Sequence, residues 1–109
     1  MKYELLQLNP DEAYDYFLCT LSNKNRIKIL NELLNGEKNV SQLTKSIGVD
    51  QSTVSNHLRR LKYCGFVSVE SKGKKRYYSL NKETIEPLMR LINKHVSTYC
   101  VECIKEGKK

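Results

Sequence analysis

The sequence lacks any long apolar segment. None of its apolar runs approaches the roughly 18 residues that a membrane-spanning helix needs, and no signal-peptide pattern stands at its start. It also has no internal repeat and, apart from a short EGKK tail, no low-complexity segment. We therefore expect a single domain over residues 1–109, without a membrane partner and located in the cytoplasm.

Motifs of catalysis are missing as well. The chain shows no recognisable pairing of a nucleophile with a base, and it has no glycine-rich phosphate-binding loop. Its one Cys-x-x-Cys, from Cys100 to Cys103, lacks the βαβ surroundings of a thioredoxin-like redox site. These absences argue against an enzyme.

Acidic residues are in short supply. Lys and Arg number 19 against 12 Asp and Glu, which gives a net charge of +7. The excess is concentrated, because residues 50–78 hold seven basic and two acidic side chains, whereas residues 1–22 hold one basic and four acidic. A local excess of positive charge suits an anionic partner such as nucleic acid.

The apolar spacing and the capping residues predict a mainly α-helical fold with a β-hairpin wing. The predicted order is four helices, two strands and a last helix, which is the winged helix-turn-helix arrangement. The predicted helices cover residues 9–22, 23–36, 41–48, 49–65 and 81–105, and the hairpin covers residues 66–80.

The fourth predicted helix has two distinct faces. At 100° per residue, Val54, Leu58 and Leu61 form one narrow stripe that should face the core. The opposite side and its flanks are polar, and they offer hydrogen-bond donors and acceptors for base edges and phosphates: Ser52, Thr53, Ser55, Asn56, Arg59, Arg60 and Tyr63.

The hairpin tip is strongly basic. Four cations crowd one turn, namely Lys72, Lys74, Lys75 and Arg76. DNA phosphates would relieve their mutual repulsion. A polar helix face alone is also typical of any solvated helix, so the DNA interpretation depends on the two features together.

These two stretches carry a family resemblance. STVSNHLRRLKYCGFV and SKGKKRYYSL, within residues 20–80, resemble the recognition helix and the wing of the ArsR/SmtB family of small bacterial and archaeal repressors. The resemblance implies a homodimer paired through its first and last helices, at residues 1–22 and 81–105. It also implies that the protein represses transcription by binding a palindromic operator in double-stranded DNA. Such repressors often leave the operator when they bind a metal ion or react with an oxidant.

The resemblance also assigns roles to side chains. His57 matches a histidine of the family's motif, and its angle on the helix, beside the apolar stripe, favours a packed structural residue over a ligand. The implied base and phosphate readers are Gln51, Ser52, Thr53, Ser55, Asn56 and Arg59, flanked by Arg60, and the implied wing contacts are Lys72, Lys74, Lys75 and Arg76.

Two familiar sensor sites of the family are not recognisable here, and the remaining candidates are thiols. On an intact helix Cys100 and Cys103 lie one turn apart, so both sulfurs can reach one ion. A third ligand would come from Cys19, on the helix that the family packs against the last one, or less readily from Cys64 or His95. Such a site favours soft ions: cadmium, lead, arsenite or antimonite, copper(I), or zinc.

Other interpretations stay open. The Cys100 and Cys103 pair could form a redox switch, or all four cysteines could only pack as small apolar residues in a regulator without an effector. DNA binding itself requires no cofactor in any of these cases. A winged helix that binds protein instead of DNA is disfavoured by the basic wing and by the polar helix face.

Overall fold

The computed structural model describes residues 6, 7 and 9–107. Its order of elements confirms the predicted mainly α-helical winged helix-turn-helix. Helices α1 (Pro10–Leu21), α2 (Lys24–Leu33), α3 (Val40–Ile47) and α4 (Gln51–Tyr63) come first, with the short strand β1 (Lys38–Asn39) before α3. Strands β2 (Val67–Lys72) and β3 (Lys75–Leu80), helix α5 (Ile85–His95), a π-helical turn (Val96–Cys100) and helix α6 (Val101–Lys105) follow.

The core lies between α2, α3, α4 and the sheet. Val54, Leu58 and Leu61 of α4 are completely buried, which confirms the predicted inner stripe of this helix. They pack with Leu43 of α3 and with Phe66, which enters just after α4 ends. The opposite face of α4 is thereby held outward.

Local capping fixes where α3 begins. Asn39 and Gln42 form a capping box, in which each side chain accepts a hydrogen bond from the other's backbone N–H at 2.9 Å. The helix begins at Val40, one residue before the predicted range of 41–48. Gly48 ends α3 in a left-handed conformation (φ 74°), which turns the chain toward α4.

The wing belongs to a three-stranded antiparallel sheet of order β1-β3-β2, instead of standing as a bare hairpin. Strands β2 and β3 pair from Val67 opposite Leu80 to Lys72 opposite Lys75, and Gly73 (φ 65°) makes the turn. Strand β1 pairs with β3 and so attaches the wing to the start of α3. This two-residue strand was not predicted.

The outer helices depart from their predicted boundaries. Within residues 1–22, residues 1–5 and 8 lie outside the described part, Leu6 and Gln7 form a turn, and the helix begins at Pro10. The predicted helix over residues 81–105 begins only at Ile85. Before it the chain forms a turn, because the Asn81 side chain accepts hydrogen bonds from the backbone N–H groups of Glu83 and Thr84. The helix is then interrupted by the π-helical turn.

Part of the apolar surface of the C-terminal segment, residues 85–105, is open to solvent, although Ile85 and Met89 are buried in the core. Leu91 is 65% exposed and Tyr99 is 60% exposed, although a helical repeat of the apolar residues in this segment would place both of them inward. Within the described residues, no helix is long and apolar enough to cross a membrane.

Candidate nucleic-acid interface

A groove of about 550 Å³ runs between the start of α3, the outer face of α4 and the hairpin tip. Five of its described lining residues are basic and none is acidic. The lining consists of Asn39, Val40, Ser41, Ser55, Leu58, Arg59, Lys62, Lys74, Lys75, Arg76 and Tyr78. The fold thus brings two residues of the predicted helix face, Ser55 and Arg59, onto one surface with the wing residues Lys74, Lys75 and Arg76.

The first turn of α4 is held by Asp50. Its carboxylate accepts hydrogen bonds from the backbone N–H of Thr53 at 3.1 Å and from the Thr53 hydroxyl at 2.6 Å. The hydroxyl bond, followed by the backbone bond, lowers the pKa of Asp50. Because the Thr53 hydroxyl is used within this cap, Gln51 and Ser52 are the more accessible polar groups of the turn, and both are exposed.

Asn56 and Arg59 stand side by side on the outer face of α4. Both are exposed, and Nη1 of Arg59 donates to Oδ1 of Asn56 at 3.3 Å. This long contact orients the guanidinium without burying it. Both side chains therefore remain available to pair with base edges, Asn with adenine and Arg with guanine.

The wing cations do not all face the groove. Lys74, Lys75 and Arg76 line it and are exposed. Lys72, in contrast, forms an ion pair with Glu37, and its ammonium lies 5.7 Å from the centre of the Tyr77 ring. The hydrogen bond that Lys72 donates to Glu37 raises the pKa of Lys72. Lys72 is thus the predicted wing residue with a partner inside the protein.

Arg60 points away from the groove. Its guanidinium carbon lies 4.4 Å from the centre of the Tyr16 ring, and its Nε donates to the Thr20 hydroxyl at 3.0 Å. Successive residues of a helix are turned by about 100°, which is why Arg59 and Arg60 serve different surfaces. The structure therefore separates Arg60 from the other predicted DNA-binding residues.

His57 is half-buried beside Arg26. Nη1 of Arg26 lies 3.2 Å from Nδ1 of His57, and since a guanidinium only donates, Nδ1 accepts and the imidazole is neutral. Burial, followed by the positive charge of Arg26, lowers the pKa of His57. This placement agrees with the packing role that the helical position of His57 predicts.

Two parts of the groove were missed from the sequence. Lys62 follows Arg59 by three residues and Ser55 by seven, so it shares their face of α4. That spacing was a usable signal. Ser41, in the first turn of α3, enters the groove only because β1 draws the start of α3 against the wing, and no local pattern shows that contact.

The thiols are dispersed over the chain. Cys19 and Cys103 are exposed, whereas Cys64 and Cys100 are half-buried. Cys64 lies 3.4 Å from the Thr20 hydroxyl, and His95 packs against Tyr99 with ring centres 4.8 Å apart. Among the described residues, no group of three His, Cys, Asp or Glu side chains could hold a metal ion. One chain therefore does not assemble the predicted three-thiolate site.

Comparisons with known proteins agree with this architecture. The family model described as "Bacterial regulatory protein, arsR family" matches residues 23–69, which include α2, α3 and α4. A probable mercury resistance operon repressor from Streptomyces lividans is 34% identical over 83 residues, covering 76% of this chain and 66% of the relative. The transcriptional repressor PagR of Bacillus anthracis is 34% identical over 94 residues, covering 84% of this chain and 90% of PagR.

The chain belongs to the ArsR family of bacterial regulatory proteins. A solved homodimeric winged helix-turn-helix DNA-binding domain from Mycobacterium bovis superposes with a TM-score of 0.74 at 26% identity, covering 81% of this chain and 82% of that domain. The chain's relatives are transcriptional regulators, among them repressors and an activator, and not enzymes, which confirms the prediction against catalysis.

Proposed function

We propose that this ArsR-family repressor binds a palindromic operator in double-stranded DNA as a homodimer. The observation that carries the proposal is the basic groove, because it combines a polar helix face with a cluster of phosphate-binding cations. Helix α4 would enter the major groove, where Asn56 and Arg59 read base edges. The cations around it, Lys62, Lys74, Lys75 and Arg76, would bind phosphates and fix the register.

A homodimer accounts for the exposed apolar side chains at both ends of the chain. On α1 these are Tyr14 and Leu18, and on the C-terminal segment they are Leu91, Val96, Tyr99, Val101 and Ile104. Exposed apolar side chains in this number are typical of an interaction site. A second copy would cover both faces, and it would supply the two α4 helices that a palindrome requires.

The dimer is tested by measuring mass in solution. We expect the wild type to sediment as a dimer and Leu91→Glu to sediment as a monomer with weakened operator binding. Lys28→Gln, which changes the charge by the same amount on the exposed side of α2, is the control and should stay dimeric. A monomeric wild type that binds its operator at full affinity would contradict the dimer.

We further propose that a soft metal ion releases the operator by binding thiolates across the dimer interface. Cys19 lies on α1, and Cys100 and Cys103 lie on the C-terminal segment, so the three thiols belong to the same two parts of the chain that carry the exposed apolar residues. Thiolate sulfur fits a soft ion such as cadmium. Because one chain brings too few ligands together, the third would come from the second subunit.

Cadmium titration tests this effector. We expect stoichiometric cadmium to weaken operator binding by about five-fold or more, and to produce thiolate-to-metal absorption in the ultraviolet. Cys103→Ser should abolish both effects, whereas Cys64→Ser should retain them. If cadmium has no effect and an oxidant weakens binding reversibly through Cys100 and Cys103, the redox alternative replaces the metal. If neither acts, the cysteines are structural.

A further inference from the structure

The end of α1 is attached to α4 through one buried hydroxyl. Thr20 is completely buried, and its hydroxyl donates to the backbone carbonyl of Tyr16 at 2.8 Å. With its proton used there, the oxygen accepts from Nε of Arg60 at 3.0 Å, and the Cys64 thiol lies 3.4 Å away. All three hydrogen-bonding positions of the hydroxyl therefore have a partner. A buried hydroxyl whose hydrogen-bonding positions are all occupied is held in one orientation.

Arg26 reinforces the same junction from α2. Its Nε donates to the Thr20 carbonyl at 2.6 Å, and its Nη2 donates to the Cys19 carbonyl at 3.0 Å. These are carbonyl groups of the last turn of α1, which have no partner within their own helix. The remaining contact of the guanidinium, with His57, reaches α4.

The contacts on α4 fall on one face. His57, Arg60 and Cys64 are spaced by three and four residues, so they form a single stripe directed at the junction of α1 and α2. Arg59 and Lys62 lie on another side of the helix and line the groove. Helix α4 thus carries one face for the groove and a separate face that fixes its angle to α1.

We infer that Arg60 is a positioning residue for DNA binding, which acts by locking the recognition helix α4 to α1 through Thr20 instead of contacting phosphate. The inference rests on the proposed function, in which α1 pairs with the second subunit and both α4 helices must enter the operator together. Because half-sites are read at a fixed spacing, a change in the angle between α1 and α4 weakens operator binding. Binding to random DNA tolerates such a change.

Thr20→Val is the decisive variant, because it removes the hydroxyl and keeps a β-branched side chain of similar size. We expect it to weaken operator binding by about five-fold or more, while the affinity for a random duplex and the slope of log Kd against log salt stay as in the wild type. Thr20→Ser retains the hydroxyl and should restore operator affinity. Arg60→Lys keeps the charge without Nε and should behave like Thr20→Val.

A merely structural role predicts a different result. Loss of folded protein would lower the affinities for operator and random DNA by the same factor, and thermal unfolding of each variant would reveal it. A direct phosphate contact predicts that Arg60→Met reduces the salt slope by about one, with Thr20→Val unchanged. Either result would overturn the inference. A wild type without preference for any operator would instead overturn the proposed function.

Discussion

Asn39 pairs with Tyr77 across the sheet, and the side chain of the same Asn39 caps α3. One residue therefore joins the wing to the first helix of the helix-turn-helix. This connection keeps the hairpin tip and the start of α3 on opposite sides of a groove that exists before DNA arrives. Preformed geometry of this kind reduces the conformational entropy lost on binding.

Removing this cap should therefore destabilise the fold. We expect Asn39→Ala to lower the free energy of unfolding by about 1 kcal/mol, which corresponds to a fall in Tm of about 4 °C for a domain of this size. Denaturant titration provides the measurement. Asn9→Ala, at the exposed cap of α1, is the matched control and should cost less. Equal losses of unfolding free energy in the two variants would show that the capping box adds no more stability than the exposed cap of α1.

Substitutions of the wing lysines Lys72 and Lys75 should change the salt dependence of DNA binding by different amounts. Lys75→Ala removes a groove cation and should reduce the slope of log Kd against log salt by about one. Lys72→Ala should change the slope less, because this ammonium is already paired with Glu37. Titrations at four salt concentrations separate the two variants. The assignment of the wing is wrong if Lys72→Ala has the larger effect.

Arg59 should contribute sequence discrimination. Because the exposed guanidinium suits bidentate pairing with guanine, Arg59→Ala is expected to remove about 1–3 kcal/mol of preference at one base pair in each half-site. Competition with single-base operator variants measures this loss. Lys62→Ala is the comparison, since loss of a phosphate contact weakens all sequences alike. A uniform loss for Arg59→Ala would reassign it as a phosphate contact.

Protonation of His57 should destabilise the folded chain. Burial and Arg26 lower its pKa in the fold, so the neutral imidazole contributes stability above its unfolded pKa of about 6.5. That stability is lost as the pH falls below this value toward the folded pKa. Tm measured between pH 7.5 and pH 5 should decline, and His57→Gln should decline less steeply. His95→Gln, at an exposed position, should follow the wild type.

The orientation of an element could be predicted where the spacing of its apolar residues shows which side is buried. The stripe of Val54, Leu58 and Leu61 predicts the orientation of α4, because a helix in a small domain must bury its apolar side. The same reasoning would place Leu91 and Tyr99 inward, yet both are exposed. Periodicity identifies an apolar face but does not say whether the same chain or a second copy covers it.

The site was only partly predictable, because side-chain direction depends on tertiary partners. Arg59 and Arg60 are adjacent and chemically alike, yet only Arg60 meets the buried Thr20 hydroxyl, forty residues away along the chain. Likewise, Lys72 forms an ion pair with Glu37 because Glu37 directly precedes β1, and β1 pairs with a strand of the wing. Short elements such as β1 and the π-helical turn contain too few residues for a hydrophobic repeat to be recognised.

The most direct test of the central claim is fluorescence anisotropy with labelled duplex DNA from upstream of the protein's own gene. The chain should bind this duplex at least about 10³-fold more tightly than a shuffled duplex of equal composition. Both affinities should fall steeply as salt rises, because several phosphate contacts release counterions. Equal affinity for the two duplexes, or binding that salt does not weaken, would contradict sequence-specific recognition through the basic groove.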